Sequence, residues 1–85
     1  MKAYVYILRC ADDTYYTGYT VDLEKRLKMH NENKASKYTR GRTPVKYVFT
    51  HECKDKSQAL KLECKIKKFT KTKKEKLIQG KISLD

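Results

Sequence analysis

Two stretches near the start of the chain have the residue pattern of β-strands. Residues 3–10, AYVYILRC, are rich in aromatic and β-branched side chains, and residues 15–19, YYTGY, form a second extended run. Between them Ala11-Asp12-Asp13-Thr14 has the composition of a turn. The pattern therefore predicts one β-hairpin, which carries five of the seven tyrosines.

The register of this hairpin decides which tyrosines share a face. A turn that ends at Asp13 pairs Tyr6 with Gly18, and Tyr6 and Tyr16 then stand on one face as diagonal neighbours. A shift of one residue points the two hydroxyls to opposite faces. Gly18 favours the first register because it leaves an open space beside Tyr6 for backbone or substrate. The alternative is that these tyrosines are ordinary half-buried strand residues.

A helical pattern follows the hairpin. Thr20 or Asp22 can cap a helix over about residues 21–31, with Leu23 and Leu27 as its buried stripe.

Arg26 and His30 lie four residues apart along one edge of that stripe. This position is neither deep in the core nor on the outer face. We expect both side chains to face the sheet.

A third strand is predicted over about residues 45–52, opened by Pro44. Strict alternation places four side chains on one of its faces: Val45, Tyr47, Phe49 and His51. We expect this strand to complete a three-stranded antiparallel sheet flanked by helices, an α+β fold. His51 is expected to be a surface residue at the end of the strand.

A second helix is predicted from the capping box Asp55-Lys56-Ser57-Gln58 to about Phe69. Its apolar stripe contains Ala59, Leu62, Ile66 and Phe69. Glu63 falls about 40° from Ala59 on the helical wheel, so its carboxylate faces protein. An unpaired buried charge costs several kcal/mol, so this carboxylate needs a cation, a donor network or a raised pKa. A salt bridge to a lysine or to Arg26 is the alternative to a functional role.

A short final helix is predicted at the C-terminal end. Thr72-Lys73-Lys74-Glu75 has the form of a second capping box, and Gly80 is expected to end the helix.

Length and composition indicate one small domain covering residues 1–85. No apolar run approaches the length of a membrane span, so we expect no membrane association. Three cysteines, an odd number without CxxC spacing, argue against a disulfide framework and indicate a reducing cytoplasm. All three are expected to be small apolar fillers: Cys10, Cys53 and Cys64.

The net charge indicates a polyanionic partner. The chain has 21 lysines and arginines against 10 acids, a formal charge of +11. Nucleic acid, either DNA or RNA, is the predicted partner. Residues 33–42 form a polar loop that either binds phosphate or is a flexible connector, and its candidate nucleic-acid-binding residues are Lys37, Tyr38, Arg40 and Arg42.

Five side chains suit phosphodiester hydrolysis if they meet in one place. Glu63 can hold a hard divalent cation, and Arg26 can bind the scissile phosphate. Tyr6 or Tyr16, with a pKa lowered by these positive charges, can accept the proton of the attacking water. His30 can accept that proton instead, or orient the phosphate.

The strand tripeptides Tyr4-Val5-Tyr6 and Tyr16-Thr17-Gly18 resemble the two signature motifs of the GIY-YIG nuclease superfamily. Arg26 and His30 are similar to the arginine and histidine of many members. Glu63 is similar to their metal-binding glutamate. The resemblance implies catalytic roles for Tyr6, Tyr16, Arg26, His30 and Glu63.

This resemblance covers roughly residues 3–78 and is closest to the small stand-alone bacterial branch. It implies an endonuclease that uses Mg²⁺ or Mn²⁺, held by Glu63, to cut DNA in repair or recombination, without a small-molecule cofactor. Tyr4 replaces the glycine of the first motif and Thr17 the isoleucine of the second, and no asparagine follows Glu63. The alternative function is a nucleic-acid-binding module of the same fold without catalysis.

Overall fold

The fold is given by a computed structural model that describes residues 2–84. It contains six elements in the order β1 (Ala3–Arg9), β2 (Tyr15–Thr20), α1 (Leu23–Asn31), β3 (Lys46–Cys53), α2 (Lys56–Lys67) and α3 (Lys71–Ile78). The strands form one antiparallel sheet with β1 in the centre, in the order β2-β1-β3. The predicted α+β fold is confirmed. Within the described residues, no helix combines the length and apolar character that crossing a bilayer requires.

The predicted register of the β1–β2 hairpin is confirmed. Tyr6 lies opposite Gly18 and Leu8 lies opposite Tyr16. The turn is closed by the Asp12 carboxylate, which accepts a hydrogen bond of 2.6 Å from the hydroxyl of Thr14. Tyr6 and Tyr16 therefore stand on the same face of the sheet.

The alternation of β1 divides the interior into two layers. Val5 and Ile7 point to one face, where they pack with Ala59 and Ile66 of α2 in a larger core. The opposite face carries a smaller cluster, the α1-side cluster, formed by Tyr6, Leu8, Cys10 and Val45, with Tyr16, Leu23, Leu27 and Tyr47 packed against it. The α1 helix covers this second face.

A β-bulge interrupts the pairing of β1 with β3. Ile7 lies opposite Phe49 but Leu8 lies opposite Tyr47, so Val48 has no partner of its own. Tyr47 consequently packs in the α1-side cluster, whereas Phe49 packs in the larger core. The prediction that both share a face was wrong, because strict alternation holds only along an unbroken strand.

His51 also differs from its prediction. It is half-buried, and it lines a small cavity with Leu77 and Leu84. The strand continues past it to Cys53, so His51 is not a surface residue at the strand end.

The first two helices begin at the predicted aspartates. The Asp22 carboxylate accepts from the backbone N–H of Lys25 at 3.0 Å, and Asp55 accepts from the N–H of Gln58 at 2.9 Å. The Gln58 side chain accepts in turn from the N–H of Lys54. These caps place α1 and α2 on the two faces of the sheet.

The N-cap of the third helix lies two residues before its predicted position. Thr70, not Thr72, is the N-cap, and its hydroxyl accepts from the N–H of Lys73 at 3.2 Å. The α2 helix already ends at Lys67, which leaves Thr70 in extended backbone and free to cap. Gly80, with a φ of 76°, follows the end of α3 as predicted.

Two of the three cysteines are the expected apolar fillers. Cys10 and Cys53 are buried, whereas Cys64 is exposed. The prediction was wrong for Cys64, because its position lies on the outer side of α2, away from the stripe that Ala59 and Ile66 define.

Gly18 allows the Tyr6 ring to lie flat against β2. A Cβ atom at position 18 would stand 2.6 Å from the Tyr6 hydroxyl oxygen and 2.8 Å from Cζ. The space beside this glycine is therefore filled by the Tyr6 phenol. The expectation that it stays open for substrate was wrong.

We predict that Gly18→Ala lowers the free energy of unfolding by about 1–3 kcal/mol, because the buried Tyr6 ring has no room to move. Urea unfolding followed by circular dichroism measures this change. In a double-mutant cycle with Tyr6→Phe, the penalty of Gly18→Ala should shrink, because the closest contact is gone. Strict additivity of the two substitutions would contradict this explanation.

Candidate functional site

The Tyr6 phenol lies at the centre of the candidate site. Its side chain is 1% exposed, and its hydroxyl is 2.8 Å from Nε2 of His30. The ring centroid of Tyr47 is 5.2 Å away, and that of Tyr16 is 6.5 Å away. Three aromatic rings and an imidazole therefore form one cluster where β1, β2, β3 and α1 meet.

His30 is held by hydrogen bonds from both ring nitrogens. Nδ1 lies 2.9 Å from the hydroxyl of Thr39, which donates to the carbonyl of Ser36. A carbonyl can only accept, so the Thr39 hydroxyl accepts from Nδ1–H, and Nε2 accepts from the hydroxyl of Tyr6. The chain of bonds runs from Tyr6 through His30 to the loop before β3.

The burial of His30 corrects its predicted position. The side chain is 0% exposed, whereas the helical wheel placed it at the margin of the core. With both nitrogens occupied, His30 does not face a phosphate or an attacking water directly. Thr39, its partner, was not among the predicted site residues, because nothing in the sequence relates it to position 30.

Burial shifts the pKa values of the central groups. Burial, with a smaller effect of Arg26, lowers the pKa of His30 to about 4, so the imidazole is neutral at pH 7. Burial is also the largest cause that raises the pKa of Tyr6 above its ordinary value, and the charge of Arg26 opposes it only in part. Burial therefore works against the lowered pKa that was expected for Tyr6, because desolvation of the phenolate outweighs the charge of Arg26.

Tyr16 is the more accessible of the two phenols. It is half-buried, and among residues 2–84 its hydroxyl has no hydrogen-bond partner. Its ring centroid lies 5.4 Å from that of His30 on one side and 5.8 Å from that of Tyr38 on another. Tyr16 thus connects the buried cluster to the surface.

Arg26 lies beside the cluster. It is half-buried, and its charge lowers the pKa values of Tyr6, Tyr47 and His30. In the described part of the chain Arg26 forms no ion pair, so the alternative of a salt bridge with Glu63 is not realised. Its guanidinium therefore remains able to bind an anion.

Glu63 is largely buried, as its place on α2 predicted. Its side chain is 17% exposed, and Lys67, one turn further along α2, lies 3.8 Å from it. The charge of Glu63 is the smallest of the causes that act on the pKa of Tyr6. A salt bridge to a lysine is thus present, but it is long for a charge-assisted bond.

The donor set around Glu63 fits one kind of metal ion. Between residues 2 and 84 there is no cluster of three or more His, Cys, Asp or Glu side chains that could enclose a metal. Mg²⁺ commonly binds through one or two carboxylates and keeps most of its water. A single buried carboxylate such as Glu63 suits such an ion better than it suits zinc.

Tyr47 is a site residue that the sequence did not indicate. Its hydroxyl donates to the carbonyl of Leu23 at 2.7 Å, and burial raises its pKa to about 12. It faces Tyr6 only because of the bulge at Val48. An alternating pattern could not reveal that bulge.

The loop before β3 lies at the edge of the aromatic cluster. Lys37, Tyr38 and Arg40 are exposed, and the Arg42 guanidinium carbon lies 4.6 Å from the centroid of the Tyr38 ring. Arg42 also lies 3.5 Å from the Asp12 carboxylate in the hairpin turn. The structure therefore anchors Arg42 and leaves the other three side chains open to solvent.

Comparison with known proteins shows which proteins this chain is similar to. A protein-family model described as the GIY-YIG catalytic domain matches residues 2–76. The chain is 49% identical over 75 residues to a UPF0213 protein of Natronomonas pharaonis, with 88% of each chain covered. It is 50% identical over 78 residues to a UPF0213 protein of Clostridium perfringens, covering 92% of this chain and 84% of that protein.

Two solution NMR structures have a similar fold. The UPF0213 protein from Bacillus halodurans is 44% identical, with a TM-score of 0.60 over 93% of this chain and 84% of that one. A protein from E. faecalis is 36% identical, with a TM-score of 0.64 over 94% of this chain and 85% of that one.

We predict that the neutral state of His30 makes folding sensitive to acid. Its folded-state pKa of about 4 lies below the ordinary 6.5, so the unfolded chain binds more protons between these values. The free energy of unfolding should therefore fall by about 2 kcal/mol from pH 7 to pH 5 through His30 alone. Urea unfolding at both pH values measures the change.

The matched controls are His30→Gln and His51→Gln. His30→Gln should show a weaker pH dependence of the unfolding free energy than the wild type. His51→Gln should keep the wild-type dependence. An unchanged pH dependence in His30→Gln would show that His30 does not cause it.

Proposed function

The chain belongs to the GIY-YIG catalytic-domain family, and from this premise we propose that it is a divalent-metal-dependent endonuclease that hydrolyses phosphodiester bonds in DNA. One observation carries the proposal. Arg26 on α1 is half-buried without an ion pair among the described residues, and the accessible Tyr16 phenol lies in the aromatic cluster that Arg26 flanks. Glu63 on α2 supplies a largely buried carboxylate. A cation for phosphate, a carboxylate for metal and a phenol for water are the groups that this hydrolysis needs.

Arg26 binds the scissile phosphate in this proposal. Its guanidinium is half-buried and has no ion pair among the described residues, so a bidentate contact with a phosphate replaces no existing bond. The same contact neutralises negative charge that develops on the phosphoryl oxygens.

Glu63 holds the divalent cation, Mg²⁺ or Mn²⁺. When bound, such an ion supplies Lewis-acid stabilisation of the phosphoryl group. The carboxylate is covered by protein on most sides, and its weak contact with Lys67 leaves its oxygens available as ligands.

Tyr16, rather than Tyr6, is the phenol that acts on the attacking water. The Tyr6 hydroxyl is buried and already donates to His30, whereas the Tyr16 hydroxyl is free among residues 2–84. Tyr16 can therefore orient a water molecule through its hydroxyl, and its phenolate form can accept the proton of that water.

Tyr6, His30 and Thr39 position the reacting groups without touching the substrate. Their bonds fix the side of α1 that carries Arg26 and hold the Tyr16 ring against His30. A rigid support of this kind preserves catalytic geometry within tenths of an ångström.

A second candidate function is a nucleic-acid-binding module without catalysis. The formal charge of +11 on 85 residues supports binding by itself, and no asparagine follows Glu63. Binding by the charged surface does not require Arg26 or Glu63 specifically. This difference separates the two candidates.

We predict that the protein nicks supercoiled plasmid DNA with Mg²⁺ or Mn²⁺, and that chelation of the metal abolishes nicking. Arg26→Ala and Glu63→Gln should each lower the rate on the order of 10²–10³-fold, since each removes a group that stabilises the transition state. Conversion of supercoiled to relaxed plasmid on agarose gels measures the rate.

Lys28→Ala and Glu24→Gln are the matched controls. Both side chains are exposed on α1, so their loss should leave the rate within a few-fold of the wild type. Salt-sensitive DNA retention without any cleavage would support the binding module. Cleavage that survives both site substitutions would reveal a contaminating nuclease and contradict the proposal.

A further inference from the structure

A cavity of about 220 Å³ lies at the turn end of the hairpin, outside the groups assigned to catalysis. It is lined by Thr14, Tyr15, Tyr38, Lys71 and Lys74, and we call it the hairpin-end cavity. Three separate parts of the chain build it: the hairpin, the loop before β3, and α3. Its walls combine two aromatic rings with two ammonium groups.

The aromatic wall connects this cavity to the catalytic face. The Tyr38 ring is 40% exposed and stacks on Tyr16 at 5.8 Å between centroids and 27° between planes. Tyr16 is the phenol assigned to the attacking water. A ligand in the hairpin-end cavity thus lies one aromatic ring away from the phenol that the proposed function assigns to catalysis.

The cationic wall has no protein counter-charge. In the described part of the chain, neither Lys71 nor Lys74 lies within ion-pair distance of a carboxylate. Lys74 is half-buried, and burial followed by the charge of Lys67 lowers its pKa. Lys71 places its ammonium 5.7 Å from the Tyr15 ring centroid. An anion in the cavity would neutralise these two ammonium groups and the positive end of the α3 dipole.

The composition of the cavity selects among ligands. A purely apolar ligand would leave two ammonium groups desolvated, and a free inorganic anion would not use the aromatic rings. A nucleotide uses both walls, since its base stacks on tyrosine and its phosphate binds lysine.

We propose that the hairpin-end cavity binds one unpaired nucleotide of the DNA strand, adjacent to the phosphate bound at Arg26. This inference rests on the proposed function, because that function identifies the bound polymer as DNA. A base inside a duplex has both faces covered by its neighbours, so only an unpaired nucleotide can stack on Tyr38, where it competes with the Arg42 guanidinium that lies 4.6 Å from the ring centroid. The preferred substrate is therefore DNA with single-stranded character beside the cleaved bond.

The test measures binding without cleavage. Fluorescence anisotropy is recorded in chelator with the Glu63→Gln variant and three labelled DNAs of equal length: a single strand, the same strand with abasic sugars, and a blunt duplex. The single strand should bind about 5–150-fold more tightly than the abasic strand, because stacking of one base contributes about 1–3 kcal/mol.

Variants of the residues that line the cavity show which side chains cause the difference in affinity. Tyr38→Ala, added to this background, should weaken single-strand binding about 5–150-fold and leave abasic-strand binding unchanged, whereas Tyr38→Phe keeps the stacking and the affinity. The double variant Lys71→Ala/Lys74→Ala should weaken binding of the single strand and of the abasic strand, and should reduce the salt dependence more than the exposed control Lys61→Ala does. Circular dichroism confirms that each variant is folded.

Two results would overturn the inference: equal affinity of Tyr38→Ala and its parent for the single strand, or a duplex bound as tightly as the single strand. Neither depends on turnover, because no metal is present. A protein that nicks plasmid but fails this test retains the proposed function and loses the cavity assignment. A protein that passes it without nicking binds single strands through this cavity but is not a nuclease.

Discussion

The hydrogen bond from the buried Tyr6 hydroxyl to His30 is the interaction on which the site depends. It joins the central strand to α1, and the bond from His30 to Thr39 extends the connection to the loop before β3. Loss of one partner would leave a buried polar atom unsatisfied, which costs about 1–3 kcal/mol. The bond itself requires Gly18, because any Cβ at that position would occupy the place of the phenol.

This constraint separates two kinds of tyrosine in one small sheet. Tyr6 and Tyr47 are committed to hydrogen bonds inside the protein, and burial raises the pKa of each. Tyr16 belongs to the same cluster, yet its hydroxyl has no partner in the described residues. The buried pair gives rigidity and the accessible phenol is available for chemistry. Rigid support and accessibility for chemistry are thus divided between tyrosines that differ in their surroundings.

Features set by local pattern could be predicted from the sequence. The hairpin register follows from the turn and from Gly18, and the largely buried position of Glu63 follows from the helical period of α2. Features set by tertiary contacts could not be predicted from the sequence. The bulge at Val48 moves Tyr47 onto the site, and the burial of His30 depends on Thr39, nine residues away in a loop without regular structure. The direction of the Tyr6 pKa shift likewise depends on burial, which outweighs the nearby charge that the sequence suggests.

We propose that Tyr6 supports the site whereas Tyr16 takes part in the chemistry. Urea unfolding and plasmid nicking, measured side by side on Tyr6→Phe and Tyr16→Phe, test this claim most directly. We expect Tyr6→Phe to lose about 1–3 kcal/mol of unfolding free energy and to nick DNA within a few-fold of the wild-type rate while it is folded. Tyr16→Phe should keep its stability and lose nicking about 10²-fold or more. These roles would be contradicted if Tyr6→Phe kept its stability but no longer nicked DNA, while Tyr16→Phe remained active.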